Sequence, residues 1–137
     1  MKRMLMLLLL VAMIQSPAMA ITHFKKIWGE HYTPAGKDPG ADAVDPDFRT
    51  ATRKAGCFVC HVKGEDKKEV RNEYGEALHE FLKSENFDKD RIKAEPDAVK
   101  AEIVEAFKKV EAMKSKDGKT FGEKIKANEL PATDAKL

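Results

Sequence analysis

Strand-period alternation, internal repeats and long apolar runs are all missing from this chain of 137 residues. Without period-two alternation there is no basis for a sheet, and without a repeat none for a solenoid. The longest apolar run, Leu5 to Ile14, is about half of the roughly 20 residues that cross a bilayer. Cysteine is scarce: Cys57 and Cys60 are the only two. That excludes the disulfide framework of many small exported domains. A structural zinc site needs four ligands, usually with a second paired element, so zinc would have to recruit distant histidines. No basic stripe with interleaved aromatics occurs, which leaves nothing that argues for nucleic acid.

What is present begins with a leader. Lys2 and Arg3 form a positive start, Leu5 to Ile14 an apolar stretch, Ser16 and Pro17 a break, and Ala18-Met19-Ala20 a small-residue cleavage signal. This is the three-part pattern of a secretory signal peptide. Residues 1–20 are expected to be removed, leaving 21–137 as one domain with no membrane span, exported to the periplasm. An uncleaved leader would change only the tether. Setting the leader aside removes Lys2 and Arg3, which brings the 25 basic residues level with the 23 acidic ones. The basic character of the whole chain therefore belongs to the leader, and only local charge clusters remain as docking candidates.

The pattern of the remainder is helical. Phe24, Ile27, Trp28 and Tyr32 predict a short amphipathic helix over 21–33. Pro34, Gly36, Pro39, Gly40 and Pro46 mark 34–46 as loop. Asp45 or Asp47 can cap a second helix, with Pro46 in its first turn, running through Phe48 towards the cysteines. A helix from Arg71 to Lys83 would place Tyr74, Ala77, Leu78, Phe81 and Leu82 on one face, and Asn86 to Lys93 reads as a connection. Pro96 opens the clearest helix, with Val99, Ile103, Ala106, Phe107, Val110 and Met113 in one stripe ending near Lys114 to Lys116. Phe121 to Ala127 predicts a last short helix. The class is all-α. Large apolar residues are few, so the core is expected to be thin, and a bulky apolar cofactor would help to fill it.

Cys57-Phe58-Val59-Cys60-His61 carries the chemistry. C-x-x-C-H is the attachment signature of c-type haem. One helical turn puts both thiols on the same side, within reach of two vinyl groups on one porphyrin edge, and the adjacent histidine offers its imidazole to the iron. A lone disulfide, a thioredoxin-like dithiol and zinc compete with this reading. The dithiol would sit in a βαβ unit, which is not in the pattern.

Through Cys57 to His61 the chain resembles monohaem c-type cytochromes. More narrowly it resembles the small exported cytochromes of planctomycete bacteria. That likeness runs through Phe24-Lys25-Lys26, His61-Val62-Lys63-Gly64, Arg71-Asn72-Glu73-Tyr74-Gly75, Lys119-Thr120-Phe121-Gly122 and Leu130-Pro131. It implies a small cytochrome c-like helical domain around one covalent haem c, a periplasmic location, and redox partner proteins that include another cytochrome. Some such relatives bind the iron through a distal cysteine and take up diatomic gases. This chain departs from them, since both of its cysteines are used by the attachment motif.

The iron position opposite His61 decides between electron transfer and gas binding. Met113 is the only methionine after residue 20 and the first candidate; the competing role is core filling. His79, about 120° around its helix from the Tyr74–Leu78–Phe81 face, is the second. His23 and His31 are weaker, and a lysine would have to lose its proton first. Arg71, Asn72 and Tyr74 are candidates to bind the haem propionates, or else are helix-start polarity and a core tyrosine. Trp28 anchors the first helix or packs on a haem edge. The expected function is single-electron transfer by a carrier that is not an enzyme. The alternative is a haem protein with an open sixth position for NO or CO, or a subunit of a larger redox complex.

Overall fold

The computed structural model describes residues 18–36, 43–67 and 69–137, with side chains from 22 onward. The leader's positive start and apolar run therefore lie outside the described residues, as does part of the 34–46 loop. Helix accounts for 61% of the described residues, and among them no strand forms. No helix among them is long and apolar enough to cross a membrane.

Among the described residues six α-helices follow one another: α1 (Ala18–Tyr32), α2 (Pro46–Ala55), α3 (Glu73–Phe81), α4 (Lys89–Ala94), α5 (Pro96–Glu111) and α6 (Phe121–Lys126). Short 3-10 turns occupy Gly56–Val59 and Ser84–Asn86. Their starts are written locally. The Asp45 carboxylate accepts from the backbone N–H of Asp47 and Phe48, both at 2.9 Å, while Pro46 fills a position that has no N–H to satisfy. Thr120 and Glu123 close a reciprocal capping box on α6. Each such cap is worth about 1 kcal/mol. The 86–93 segment, read as a connection, holds all but the last residue of α4. Asp88 caps it through the N–H groups of Asp90 and Arg91, and Pro96 ends it by opening α5.

The central element is α5. Its stripe Val99, Ile103, Ala106, Phe107 and Val110 is fully buried and meets α1, α3, α4 and α6. Tyr74, Phe87 and Phe121 complete the interior. Each fully buried large apolar side chain contributes about 1.5–3 kcal/mol. A chain poor in such residues has thus closed a core with its own side chains, so composition speaks less for a cofactor than the motif does. On α3 the buried face is Tyr74, Gly75, Ala77 and Leu78, continued by Leu82, whereas Phe81 is 40% exposed. The true face is therefore rotated towards His79.

The carboxy-terminal tail is stitched back across α3. Glu73, the first residue of α3, accepts from the Ser115 hydroxyl, the Lys116 N–H, and both the N–H and hydroxyl of Thr133, all within 2.6–2.9 Å. The Asp134 carboxylate in turn accepts from the Glu73 N–H at 3.0 Å. Partial burial pushes the Glu73 carboxyl up, but the Thr133, Lys116 and Ser115 hydrogen bonds outweigh it and hold it below its ordinary value of 4.5. A carboxyl whose folded pKa is depressed stabilises the fold above its unfolded value and loses that contribution as pH falls through and below it. Urea midpoints recorded from pH 7 down to pH 3 should fall further for the parent chain than for Glu73→Gln. Parallel losses would show that this carboxylate does not hold the tail.

Candidate functional site

The Cys57–His61 segment leaves α2 at Gly56, whose φ of 56° is in the left-handed region that favours glycine. From there the chain tightens into a 3-10 turn. The Cys57 carbonyl accepts from the Cys60 N–H at 3.2 Å and from the His61 N–H at 3.1 Å. That single turn keeps the two cysteines on neighbouring positions of one coil. Both are free thiols, Cys57 exposed and Cys60 half-buried. The Cys60 thiol points inward, and burial, with a smaller push from Cys57, raises it to about 12.

His61 is oriented by the backbone. Its Nδ1 lies 3.1 Å from the Val70 carbonyl oxygen. A carbonyl can only accept, so Nδ1 carries the proton and Nε2 keeps its lone pair. This is how a metal-binding imidazole is commonly prepared: one ring nitrogen donates to a carbonyl, which fixes the tautomer and leaves the other as ligand. The pairing arises because 61 and 71 form a short antiparallel bridge, which brings Val70 over the ring.

Behind the turn sits the first turn of α3. Asn72 is completely buried, and its side-chain amide donates to the carbonyls of Phe58, Val59 and His61 at 3.1, 3.0 and 3.3 Å. Its carbonyl oxygen caps α3 by accepting from the Gly75 N–H at 2.9 Å. Its backbone N–H donates to the Cys60 carbonyl at 3.0 Å. Gly75 passes so close that a Cβ there would stand 1.9 Å from the Cys60 oxygen. The carbonyls of a tight turn, which a two-residue spacer cannot satisfy internally, are thus met by one asparagine, and glycine lets it come near enough.

The residues weighed for the haem periphery take the other roles open to them. Asn72 is spent on the motif's own backbone, and Tyr74 is fully buried with its hydroxyl taken by Trp28 Nε1 at 2.9 Å. Arg71 pairs with Glu76 at 3.7 Å. Trp28 is buried and anchors α1 to α3. His31 stacks edge-on against Tyr32 and faces Phe107, with burial lowering its pKa, on the α5 side of α1. His23 Nε2 is buried without a hydrogen-bond partner.

Met113 and His79 belong to different elements. Met113, just past α5, is half-buried against the core and lines an open recess of about 390 Å³ shared with Arg71, Ala77, Glu80 and Phe121. Neither cysteine of the motif nor His61 lines that recess. His79 is four residues beyond Gly75, hence one turn along the face of α3 that meets the motif. Among the described residues no group of three or more His, Cys, Asp or Glu side chains is arranged to hold a metal ion, so a closed zinc site at the cysteines finds no further ligands there.

Asn72 and Gly75 are the residues whose roles sequence reasoning missed. The cue was the Asn-x-x-Gly spacing at a helix start, but nothing local says that the asparagine also reaches back across 11 to 14 positions. No family model, no curated protein and no solved structure matches this chain.

Two outcomes follow from this geometry. Gly75→Ala and Asn72→Asp should each lower the thermal midpoint. The first drives a methyl group into a carbonyl; the second replaces two donors by a carboxylate that faces three acceptors, leaving buried groups unpaired at about 1–3 kcal/mol apiece. Unchanged midpoints in both would mean that α3 does not seat on the turn. With both cysteines reduced, a brief iodoacetamide pulse followed by peptide mapping should label Cys57 and spare Cys60, since the thiolate is the nucleophile. Equal labelling in the folded chain would refute the inward placement of the Cys60 thiol.

Proposed function

We propose that the chain is an exported monohaem c-type cytochrome of cytochrome c-like helical fold, a periplasmic carrier of single electrons between redox partner proteins. The observation that carries this reading is the His61 imidazole. It stands next to two free thiols in the C-x-x-C-H spacing, with Nδ1 committed to the Val70 carbonyl and Nε2 left as a ligand. Cys57 and Cys60 would hold the haem c through thioethers and His61 would bind its iron. The bound haem supplies a one-electron couple.

The chain's own residues then have distinct tasks. Val70 holds the His61 ring in one tautomer. Asn72 and Gly75 keep the turn rigid, so that thiols and imidazole stay in register. Exposed Cys57 puts the attachment edge at the surface, where a partner can approach. Lys67 lies over the Phe58 ring at 5.0 Å, and Arg53, Lys54 and Lys63 flank the motif in sequence. Glu65, Asp66 and Glu69 lie in the same stretch, so the edge carries charges of both signs against which a redox partner, for instance another cytochrome, would dock. No substrate is converted in this reading, and nucleic acid has no part in it.

The test is an absorption spectrum of the protein exported from a cell competent for cytochrome c maturation, recorded oxidised, reduced, and reduced under CO. A covalent haem spectrum that survives acid–acetone extraction is expected, and it should vanish in the Cys57→Ala/Cys60→Ala pair. Its absence from the parent chain would overturn the proposal. Reduced bands indifferent to CO mean a closed iron and electron transfer. Met113→Ala and His79→Ala then show which of the two supplies the sixth ligand, because the variant that loses it becomes CO-responsive. A large CO shift in the parent chain selects the gas-binding alternative instead.

A further inference from the structure

The whole chain contains two tyrosines and one tryptophan. The fold brings all three into one connected cluster. Trp28 Nε1 donates to the Tyr74 hydroxyl at 2.9 Å. The ring of Trp28 lies 5.0 Å from that of Tyr32. The hydroxyls of Tyr74 and Tyr32 are close enough for each to act on the ionisation of the other. The Tyr32 hydroxyl donates to Glu111 Oε1 at 2.7 Å. The two ends have fixed polarity, since an indole N–H can only donate and a carboxylate can only accept.

One end of this cluster touches the attachment motif. Tyr74 is fully buried beside the Cys60 thiol, whose charge would act on it, and the next residue, Gly75, abuts the Cys60 carbonyl. The other end is Glu111, the half-buried last residue of α5. Tryptophan and tyrosine are the aromatic side chains that give up an electron most readily. An oxidised phenol is a strong acid and needs a base to receive its proton. Tyr32 has one in hydrogen-bond contact. Burial holds both phenols far above the ordinary tyrosine range, so neither ionises ahead of losing an electron.

We propose that Tyr32 is a redox-active tyrosine that discharges oxidising equivalents arriving at the Cys57–Cys60–His61 end, losing an electron by way of Tyr74 and Trp28 as its hydroxyl proton passes to Glu111. The inference rests on the haem reading above, in its form with a sixth position open to a small molecule, and gives that site a second role, disposal of peroxide. Hydrogen peroxide takes up two electrons and two protons and leaves as two waters. Each electron is drawn from Tyr32: its O–H bond breaks, the proton goes to the Glu111 carboxylate, and a neutral tyrosyl radical remains. A one-electron donor such as a reduced partner carrier or ascorbate then returns an electron, and the Glu111 proton restores the phenol. Over two such turns the donor supplies both electrons and solvent both protons.

The experiment uses the full exported chain, its haem content first read from the absorption spectrum. Loaded protein is mixed with hydrogen peroxide, freeze-quenched and examined by electron paramagnetic resonance. A neutral tyrosyl signal is expected, narrowed when the protein carries ring-deuterated tyrosine. Tyr32→Phe should lose that signal while keeping the parent haem spectrum, and Glu111→Gln should lower its yield. An undiminished tyrosyl signal in Tyr32→Phe would overturn the proposal, because only Tyr74 is then left to carry it. Absence of the signal in the loaded parent chain would overturn it as well. Should the spectrum show no haem, the haem reading fails separately. A photogenerated ruthenium(III) oxidant then tests the same chain: a radical at Tyr32 supports the tyrosine's redox role without the haem, and its absence removes both.

Discussion

The turn that holds Cys57, Cys60 and His61 has more carbonyls than its own N–H groups can satisfy, and meeting them is the constraint on which the structure depends. A two-residue spacer between cysteines makes a single 3-10 coil whose outward carbonyls, at Phe58, Val59, Cys60 and His61, lie close to the interior. Unpaired, each would cost about 1–3 kcal/mol. Asn72 answers all four, three through its side-chain amide and one through its backbone N–H. Because the same residue caps α3, the helix cannot form in register without also clasping the turn. Gly75 is the steric counterpart. The clasp works only if the helix backbone comes within van der Waals contact of Cys60, and a side chain at 75 forbids that.

Everything that positions α3 therefore positions the motif. Tyr74 docks the helix against Trp28 of α1 and the Phe121 ring of α6, and Ala77 and Leu78 face the core centred on α5. Glu73 gathers four donors from the segment after α5 and from the tail. The tail then adds its own contact to the far side of the site, where the Ala135 carbonyl accepts from the Lys63 N–H at 2.9 Å and Lys136 pairs with Glu65. The loop after His61 is held from both directions. That is what lets a solvent-facing segment keep Val70 aligned on the imidazole.

How much of this could be read beforehand depends on whether the information was local. The stripe from Val99 to Val110 was legible because helical periodicity is a property of neighbouring residues, and the Asp45–Pro46 start of α2 because a cap reads two or three residues ahead. The helix over Lys89–Ala94 was legible in principle from its Asp88 cap, but six residues carry too little period to outweigh the charged composition. Hydrophobicity alone places Phe81 and Leu82 on one buried face; the docking of Gly75 on Cys60 turns α3 so that Leu82 is covered and Phe81 exposed. At the site, the identities of Cys57, Cys60 and His61 stood in the motif. The carbonyl that orients His61 and the amide that clasps the turn did not, since both are created by a backbone crossing that no spacing encodes. Of the two roles the sequence leaves open for Asn72 and Tyr74, the structure shows the helix-start cap and the core tyrosine, with their polar atoms committed within the protein.

The placement of polar aromatics follows from the same crossing. A tyrosine at 74 must point into the core, because Gly75 on its flank faces the motif and fixes the rotation of α3. A buried phenol needs partners. Trp28 supplies a donor that can do nothing else with its N–H, and Tyr32 presents a second hydroxyl whose own proton is taken by Glu111. The requirement that each buried polar atom be satisfied thus propagates outward from the motif, one group at a time, until it reaches a carboxylate at the end of α5. A core built from aliphatic side chains alone would have closed the same volume without such a chain. This one gains a connected set of oxidisable groups as a consequence of how its Cys57–His61 turn is held.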